Sequence, residues 1–302
     1  MAFRFNSVAL LLSSLLTGGG AWVGYELYKP KTVRDLIAWK GFTLASEEDS
    51  GIWEALYFQG KAELGDKVTD ASTLKQFCVK TAKEKIDYSS KNYEHVEKFC
   101  VNALKSRRAR IISKGFKETD FLSTDDDYKL AFIFNRYSPT FLSLLGKPNL
   151  TKDTEIDDNS ELLQSYKDYC SKVLNEDDIK IAVSQQLCSK SKEKTVVDLL
   201  TKDGYTLRSD QELEADFEKY KQDNNGKDAK YVVGNTLLEA IKDVSQGEDS
   251  WLDLTRDKNK FATQFKKYCN EQKEKSLYAK DFLKDVYPKF KSRCANEIKP
   301  SR

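Results

Sequence analysis

The residues of this chain whose type and spacing could support covalent chemistry are its six cysteines, which fall into three pairs along the sequence. The pairs are separated by 22, 18 and 25 residues and are, in chain order, Cys78 with Cys100, Cys170 with Cys188, and Cys269 with Cys294. An even cysteine count behind an export-like amino-terminal segment favours disulfides. The alternative is six reduced thiols buried as small apolar side chains.

Metal and catalytic chemistry are not expected from this sequence. A zinc site would need ligands such as a C-x-x-C pair, which is missing, and His95 is the single histidine. His95 lies beside the apolar stripe that carries Cys100, which favours an ordinary helix-face side chain. The sequence has no phosphate-binding loop, dinucleotide-binding glycine motif, H-E-x-x-H or G-x-S-x-G. We therefore expect a protein that is not an enzyme, with no catalytic residue, metal, cofactor or small-molecule substrate.

The first cysteine of each pair ends the same pattern: an apolar residue, lysine, any residue, an aromatic residue and cysteine. The three copies are LKQFC at 74–78, YKDYC at 166–170 and FKKYC at 265–269. Recurrence of one pattern indicates repeated structural units, each holding one cysteine pair. Because the copies are unevenly spaced, the sequence predicts a tandem array of small modules with variable insertions.

A second repeat marks where units begin. Residues 32–44 (TVRDLIAWKGFTL) return at 195–207 as TVVDLLTKDGYTL, whereas the middle unit keeps only KGF at 114–116. The threonine that opens each copy, followed three residues later by aspartate, predicts a capping box at the start of a helix. Gly41 and Gly204 then fall where a helix needs a left-handed residue in order to stop.

The fold class that these patterns predict is mainly α. The chain has only five prolines, and its many lysine, glutamate and leucine residues favour helix over strand. Around the cysteines, apolar residues recur at i, i+3 and i+4, which is typical of amphipathic helices. Each cysteine pair is therefore expected on two antiparallel helices joined by a short turn, with a disulfide stapling the hairpin.

The amino-terminal segment is the candidate membrane contact. Residues 5–25 contain no charged side chain, a length close to that needed to cross about 30 Å of hydrocarbon. Several serines and three consecutive glycines dilute it, so a cleaved signal peptide with a cut near 19–21 and a buried soluble helix are the alternatives. We favour a single anchor in membrane lipid. The flanking charges, Arg4 before it and Lys29 after it, leave the orientation open.

The charge balance excludes a general nucleic-acid binder. Lysine and arginine total 50 against 48 aspartate and glutamate residues, whereas nucleic-acid binders usually carry a basic excess. The basic cluster at 105–110 is consistent with a nucleic-acid or lipid-headgroup patch. A solvated helix face at a unit boundary is the interpretation we favour.

One short segment closely matches a known protease recognition sequence. Residues 54–60 (EALYFQG) resemble the recognition site of a potyviral protease that is widely used to remove tags. This segment aligns with the central helices that the sequence predicts in the other two repeats, at Tyr128 to Tyr137 and at Leu213 to Tyr220. We therefore interpret it as a native sequence whose match is coincidental.

Three features together resemble the paralogous sets of uncharacterised membrane and surface proteins in haemotropic mycoplasmas. They are the weakly apolar amino-terminal segment, the opening pattern T-V-x-D-L-[IL]-x-x-x-G-[FY]-T-L and the aromatic–cysteine repeats. The resemblance covers most of the chain and is specific in its opening motif and repeat layout. It implies an anchored, outward-facing protein of a wall-less parasite of red cells, varying between copies to evade antibody. No catalytic residues come with that family.

Taken together, the sequence predicts a signal-anchor or signal peptide at 1–28, followed by helical modules at 29–103, 104–192 and 193–302. The expected function is a non-enzymatic surface protein of the cell membrane, with extracellular modules, acting as a variable antigen or an adhesin for a host protein or cell-surface ligand. The alternative is a cytoplasm-facing, membrane-tethered scaffold with reduced thiols.

Overall fold

The computed structural model describes residues 29–66, 68–89, 91–146, 154–156, 160–221 and 237–298, and this part of the chain is mainly helical. Its α-helices are, in chain order, α1 Val33–Trp39, α2 Ser50–Leu64, α3 Ala71–Ala82, α4 Asn92–Phe99, α5 Arg107–Ile112, α6 Asp125–Asn135, α7 Pro139–Leu144, α8 Glu161–Asn175, α9 Ala182–Cys188, α10 Val196–Lys202, α11 Asp210–Ala215, α12 Phe217–Tyr220, α13 Leu237–Val244, α14 Trp251–Arg256, α15 Lys258–Lys273 and α16 Tyr287–Cys294. A 3-10 turn at Glu118–Asp120, a π-helix at Phe282–Val286 and two antiparallel strands, β1 Tyr205–Leu207 and β2 Ala295–Glu297, complete the described elements.

The described chain divides into two compact units. Unit 1 contains the described residues up to Phe116 together with Asp177–Ile179, and unit 2 contains Lys117–Glu176 and the residues from Lys180 onward. The expected division into modules at 29–103, 104–192 and 193–302 stays a prediction. The expected anchor at 5–25 and the whole of 1–28 lie outside the described residues. Within the described ranges, no helix combines the length and apolarity that crossing a bilayer would require.

The two predicted capping boxes are present. Thr32 precedes α1 and Thr195 precedes α10, and the backbone has φ −115° and ψ 162° at both threonines. At the first box the Thr32 hydroxyl accepts from the N–H of Asp35, whose carboxylate accepts from the N–H of Thr32. Each helix stops at the predicted glycine, because Gly41 and Gly204 have φ of +84° and +83°, which side chains with a Cβ adopt only at a cost.

Unit 1 has a core formed by α1 to α4, in which Leu74 and Val96 are fully buried. The long helix α2 crosses this core and also packs on α5. Gly51 permits that approach, since a Cβ at this position would lie 2.3 Å from the Ser113 carbonyl oxygen. The indole N–H of Trp53 donates to the Ser46 carbonyl at 2.8 Å, so the largest ring of this core has a partner for its polar atom.

Unit 2 has a separate core that is rich in phenylalanine. The ring of Phe261 on α15 contacts those of Phe217, Tyr220 and Phe265, with centroids 5.7, 5.7 and 5.8 Å away. A second aromatic group joins α6, α7 and α8, where Phe141 lies 5.0 Å from the ring of Tyr166. These clusters provide the apolar burial that holds short helices together, because helices of this length are marginal alone.

Two helices of the structure differ from those predicted from the sequence. The central helix expected at Leu213 to Tyr220 is divided at Asp216, whose carboxylate pairs with Arg208 at 2.8 Å and Lys219 at 2.7 Å. The amphipathic helix predicted before Cys294 begins as a π-helix and not as an α-helix. The Glu155 carboxylate accepts from the backbone N–H groups at the start of that π-helix, at 3.1 and 3.2 Å, and so satisfies donors that a helix start leaves unpaired.

The carboxylates that cap helices make the stability of the fold depend on pH in acid. Hydrogen bonds from the hydroxyl and N–H of Ser250, with Lys260 nearby, lower the pKa of Asp253 to about 2. A carboxyl whose pKa is depressed in the folded chain adds stability above its unfolded pKa and loses it as the pH falls through the folded value. We therefore expect thermal unfolding midpoints to fall between about pH 4 and pH 2. Asp253→Asn should reduce that slope and Asp243→Asn, on an exposed face, should not; equal slopes in both variants would contradict the assignment.

The protease-like sequence lies inside α2, which makes it a test of that helix. The Gln59 side chain accepts from the N–H of Lys105 at 2.6 Å, and the following Gly60 is buried against the ring of Phe99. A protease needs an extended segment, so cutting requires local unfolding. We expect the native chain to resist the protease, and the reduced, alkylated and unfolded chain to be cut after Gln59, as mass spectrometry of the fragments would show. A Gln59→Ala chain should stay intact in both states, and equal cutting of native and unfolded protein would contradict the helical assignment.

Candidate functional site

The three predicted disulfides are present. The Cα atoms are 5.6 Å apart in Cys78–Cys100, 5.5 Å in Cys170–Cys188 and 5.7 Å in Cys269–Cys294. All six cysteines are buried. In each pair the first cysteine lies within a helix and the second ends, or directly follows, the next helix that packs against it, the helices being α3 and α4, α8 and α9, and α15 and α16. The bonds therefore staple helix pairs, as the spacing predicted.

The second cysteine of each pair also fixes a segment from earlier in the chain. Its carbonyl oxygen accepts a backbone hydrogen bond from Ala45 at Cys100, from Leu122 at Cys188 and from Arg208 at Cys294, at 2.9, 3.1 and 3.0 Å. The residues next to these bonds form strand-like pairs, which are Leu44 with Val101, Phe121 with Ser189 and Leu207 with Ala295. The same local contact thus accompanies each disulfide, and each disulfide lies where an opening segment meets its helix pair.

The other residues singled out in the sequence take structural positions. His95 is exposed on α4, with its ring 6.4 Å from that of Phe99. The basic cluster at 105–110 is not a solvated face throughout, because Arg110 pairs with Asp177 at 2.6 Å and Arg107 pairs with Asp178, all within unit 1. Among the described residues, no group of three or more His, Cys, Asp or Glu side chains is arranged to hold a metal ion.

One concavity of unit 2 combines charged and aromatic side chains, and we call it the Asp203 cleft. It has a volume of about 600 Å³. Its lining consists of Arg136, Tyr137, Lys202, Asp203, Tyr205, Leu283, Tyr287, Pro288 and Lys291. This volume lies within the range of pockets that bind small molecules.

Five elements bring this lining together: α6, α10, β1, α16 and the π-helix, which contributes Leu283. Arg136 and Tyr137 directly follow α6, and Lys202 is the last residue of α10. Asp203 caps the end of α10, where the left-handed Gly204 turns the chain into β1 and places Tyr205 on the wall. The opposite wall is α16, which contributes Tyr287 and Lys291 on one face, as their spacing of one helical turn requires.

The carboxylate of Asp203 contacts three other residues of the cleft lining. It accepts from the hydroxyls of Tyr137 at 2.6 Å and Tyr287 at 2.8 Å, and the Lys291 ammonium lies 3.7 Å away. Arg136 donates to the Tyr137 hydroxyl at 2.5 Å and to the Ile133 carbonyl at 2.6 Å. Burial, followed by the hydrogen bond to Asp203, raises the pKa of Tyr287, so this phenol stays a neutral donor at physiological pH.

The described lining carries three cationic side chains and one carboxylate. The cations are held in place: the Lys202 ammonium donates to the Phe134 carbonyl at 2.5 Å, and the Lys291 ammonium lies over the rings of Tyr205 and Tyr287, 4.8 and 5.7 Å from their centroids. Arg136 is only 4 % exposed, which removes much of the solvent that would screen its charge. The cleft is therefore a site of excess positive charge with aromatic walls.

None of the sequence patterns described above predicts this cleft, although the two opening repeats contain a signal for it. Lys40 and Asp203 occupy the same place, directly before the glycine that ends the opening helix. Glu97 and Lys291 likewise lie three residues before the second cysteine of their pair. In unit 1 the ion pair is Lys40–Glu97 at 2.6 Å, so the two charges are exchanged between equivalent positions. Aligning the two repeats would have identified these paired positions.

Compared with protein-family models, with curated proteins and with solved structures, the chain matches none of them. A candidate function therefore depends on the chemistry of the chain itself: three buried disulfides and one cationic, aromatic cleft.

Proposed function

We propose that this chain is a non-enzymatic binding protein of the cell surface, a variable antigen or adhesin whose disulfide-stapled helical part faces the outside. The observation that carries the proposal is the pairing of all six cysteines. Disulfides form and persist in oxidising compartments and are rare in a reducing cytoplasm. Each pair is also buried where two helices meet, a position that supports a structural role and not a reactive one.

The proposed architecture is three copies of one module, at 29–103, 104–192 and 193–302. The hydrogen bond to the carbonyl of the second cysteine supports this proposal, since it recurs with Ala45, Leu122 and Arg208 as donors. Disulfides add stability to surface proteins built from small modules, because a small core alone gives marginal stability.

The proposed attachment is through residues 5–25, held in membrane lipid, and the proposed partner is a host protein or cell-surface ligand. The uncharged length of that segment supports an anchor. The resemblance to surface proteins of haemotropic mycoplasmas points the same way. A cytoplasm-facing, membrane-tethered scaffold is the competing function, and it requires the cysteines to be reduced.

The deciding experiment is thiol-blocking mass spectrometry on protein taken from its native cell without reductant. The proposal predicts cross-linked peptides for the three pairs and almost no alkylated cysteine. Six freely alkylated thiols would overturn it and favour the scaffold. Brief protease treatment of intact cells is the matched control, because an outward-facing chain should lose its helical part while a cytoplasmic marker survives.

A further inference from the structure

We propose that the Asp203 cleft binds a small organic anion, whose carboxylate or phosphate group is held between the ammonium groups of Lys202 and Lys291. The inference rests on the proposed function as a binding protein and names the ligand chemistry of this cleft. It involves binding alone, with no bond made or broken.

The charge of the lining is the first argument. Among the described lining residues, Arg136, Lys202 and Lys291 carry three positive charges and Asp203 carries one negative charge. That carboxylate already accepts from two tyrosine hydroxyls, so its lone pairs are partly used inside the wall. A concave site with one sign of charge in excess concentrates ligands of the other sign.

Available donors are the second argument. A lysine ammonium has three N–H groups. Among the described contacts, Lys202 uses one of them on the Phe134 carbonyl, and Lys291 lies 3.7 Å from Asp203, beyond a direct hydrogen bond. Both side chains lie in the cleft lining, so their remaining N–H groups are positioned to bind an anionic oxygen.

The walls define the rest of the ligand. Leu283 and Pro288 add aliphatic surface to the rings of Tyr137, Tyr205 and Tyr287. Such a lining favours an anion that carries an apolar or aromatic body, because small-molecule sites combine apolar walls with a few placed polar groups. With one carboxylate in the described lining, the cleft is a poor match for a divalent cation, since these cations take several oxygen ligands.

The test uses four probes on the full, disulfide-bonded chain, with binding measured by isothermal titration calorimetry. Phenyl phosphate and benzoate carry both an anionic group and a ring, inorganic phosphate carries the anion alone, and benzyl alcohol carries the ring alone. We expect saturable binding of phenyl phosphate or benzoate at one site, and at least about tenfold weaker binding of benzyl alcohol, because it lacks the charge-assisted hydrogen bonds. The stronger of the two anions identifies phosphate or carboxylate as the preferred group.

Variants assign that binding to the cleft. Lys202→Gln and Lys291→Gln should each weaken the stronger anion about tenfold, whereas the matched Lys275→Gln, at an exposed position outside the lining, should leave its affinity unchanged. Helical circular dichroism of each variant checks that the fold is kept. Absence of saturable binding of both anions, or binding that neither cleft lysine affects, would overturn the inference. Cysteine state in cells tests surface location separately, so the two proposals can fail independently.

Discussion

Replacing Cys269 and Cys294 together by alanine is expected to lower the free energy of unfolding by about 3 kcal/mol. The bond closes a loop of 25 residues, and opening it returns conformational freedom to the unfolded chain. Both side chains are buried at the contact of α15 and α16, so the variant also loses packing in the unit 2 core. Guanidinium unfolding followed by circular dichroism measures the loss.

The matched variant is Cys78→Ala with Cys100→Ala, because its bond closes a loop of similar length, 22 residues, in the core of unit 1. We expect a loss of about the same size. Hydrogen exchange should locate each change, with faster exchange in the unit that lost its bond. A loss below about 1 kcal/mol in both double variants would show that the disulfides add little to stability.

Phe261→Ala is the second large effect, with an expected loss of about 3–5 kcal/mol in the free energy of unfolding. This ring is fully buried and contacts three other aromatic rings, so its removal leaves a cavity that short flanking helices cannot readily fill. Because the affected core belongs to unit 2, hydrogen exchange in unit 1 should stay close to that of the unaltered chain.

Phe261→Leu is the control for this prediction. It keeps an apolar side chain of comparable bulk, and we expect a loss of about 1–2 kcal/mol. If the alanine variant were no less stable than the leucine variant, the site would be able to collapse around the missing ring. The dense aromatic packing described for this core would then be contradicted.

The features that sequence predicted correctly are those set by local rules. A threonine with an aspartate three residues later closes a capping box whatever its surroundings, and both boxes formed. The glycines that end the opening helices follow the same logic, since a left-handed residue is required there. The cysteine pairs were also predictable, because each copy of the pattern that ends in an aromatic residue and cysteine is followed by one further cysteine.

The features that sequence missed depend on contacts between distant residues. The break at Asp216 depends on Arg208, and the π-helix begins where Glu155 meets its backbone N–H groups. The Asp203 cleft combines residues that are far apart in sequence, such as Tyr137 and Lys291, and neither residue type is unusual by itself. Periodicity describes one element at a time, so it predicts helices but not the concavities between them.

The exchanged ion pairs have a consequence for folding fidelity. Lys40 meets Glu97 in one repeat, and the equivalent contact in the other is Asp203 with Lys291. Repeated sequences tend to misfold by docking one copy's segment onto another copy's partner. Here an opening helix placed on the wrong hairpin would set Lys40 against Lys291, or Asp203 against Glu97, and like charges repel. In these two repeats the exchanged charges thus favour docking of each opening helix onto its own cysteine hairpin.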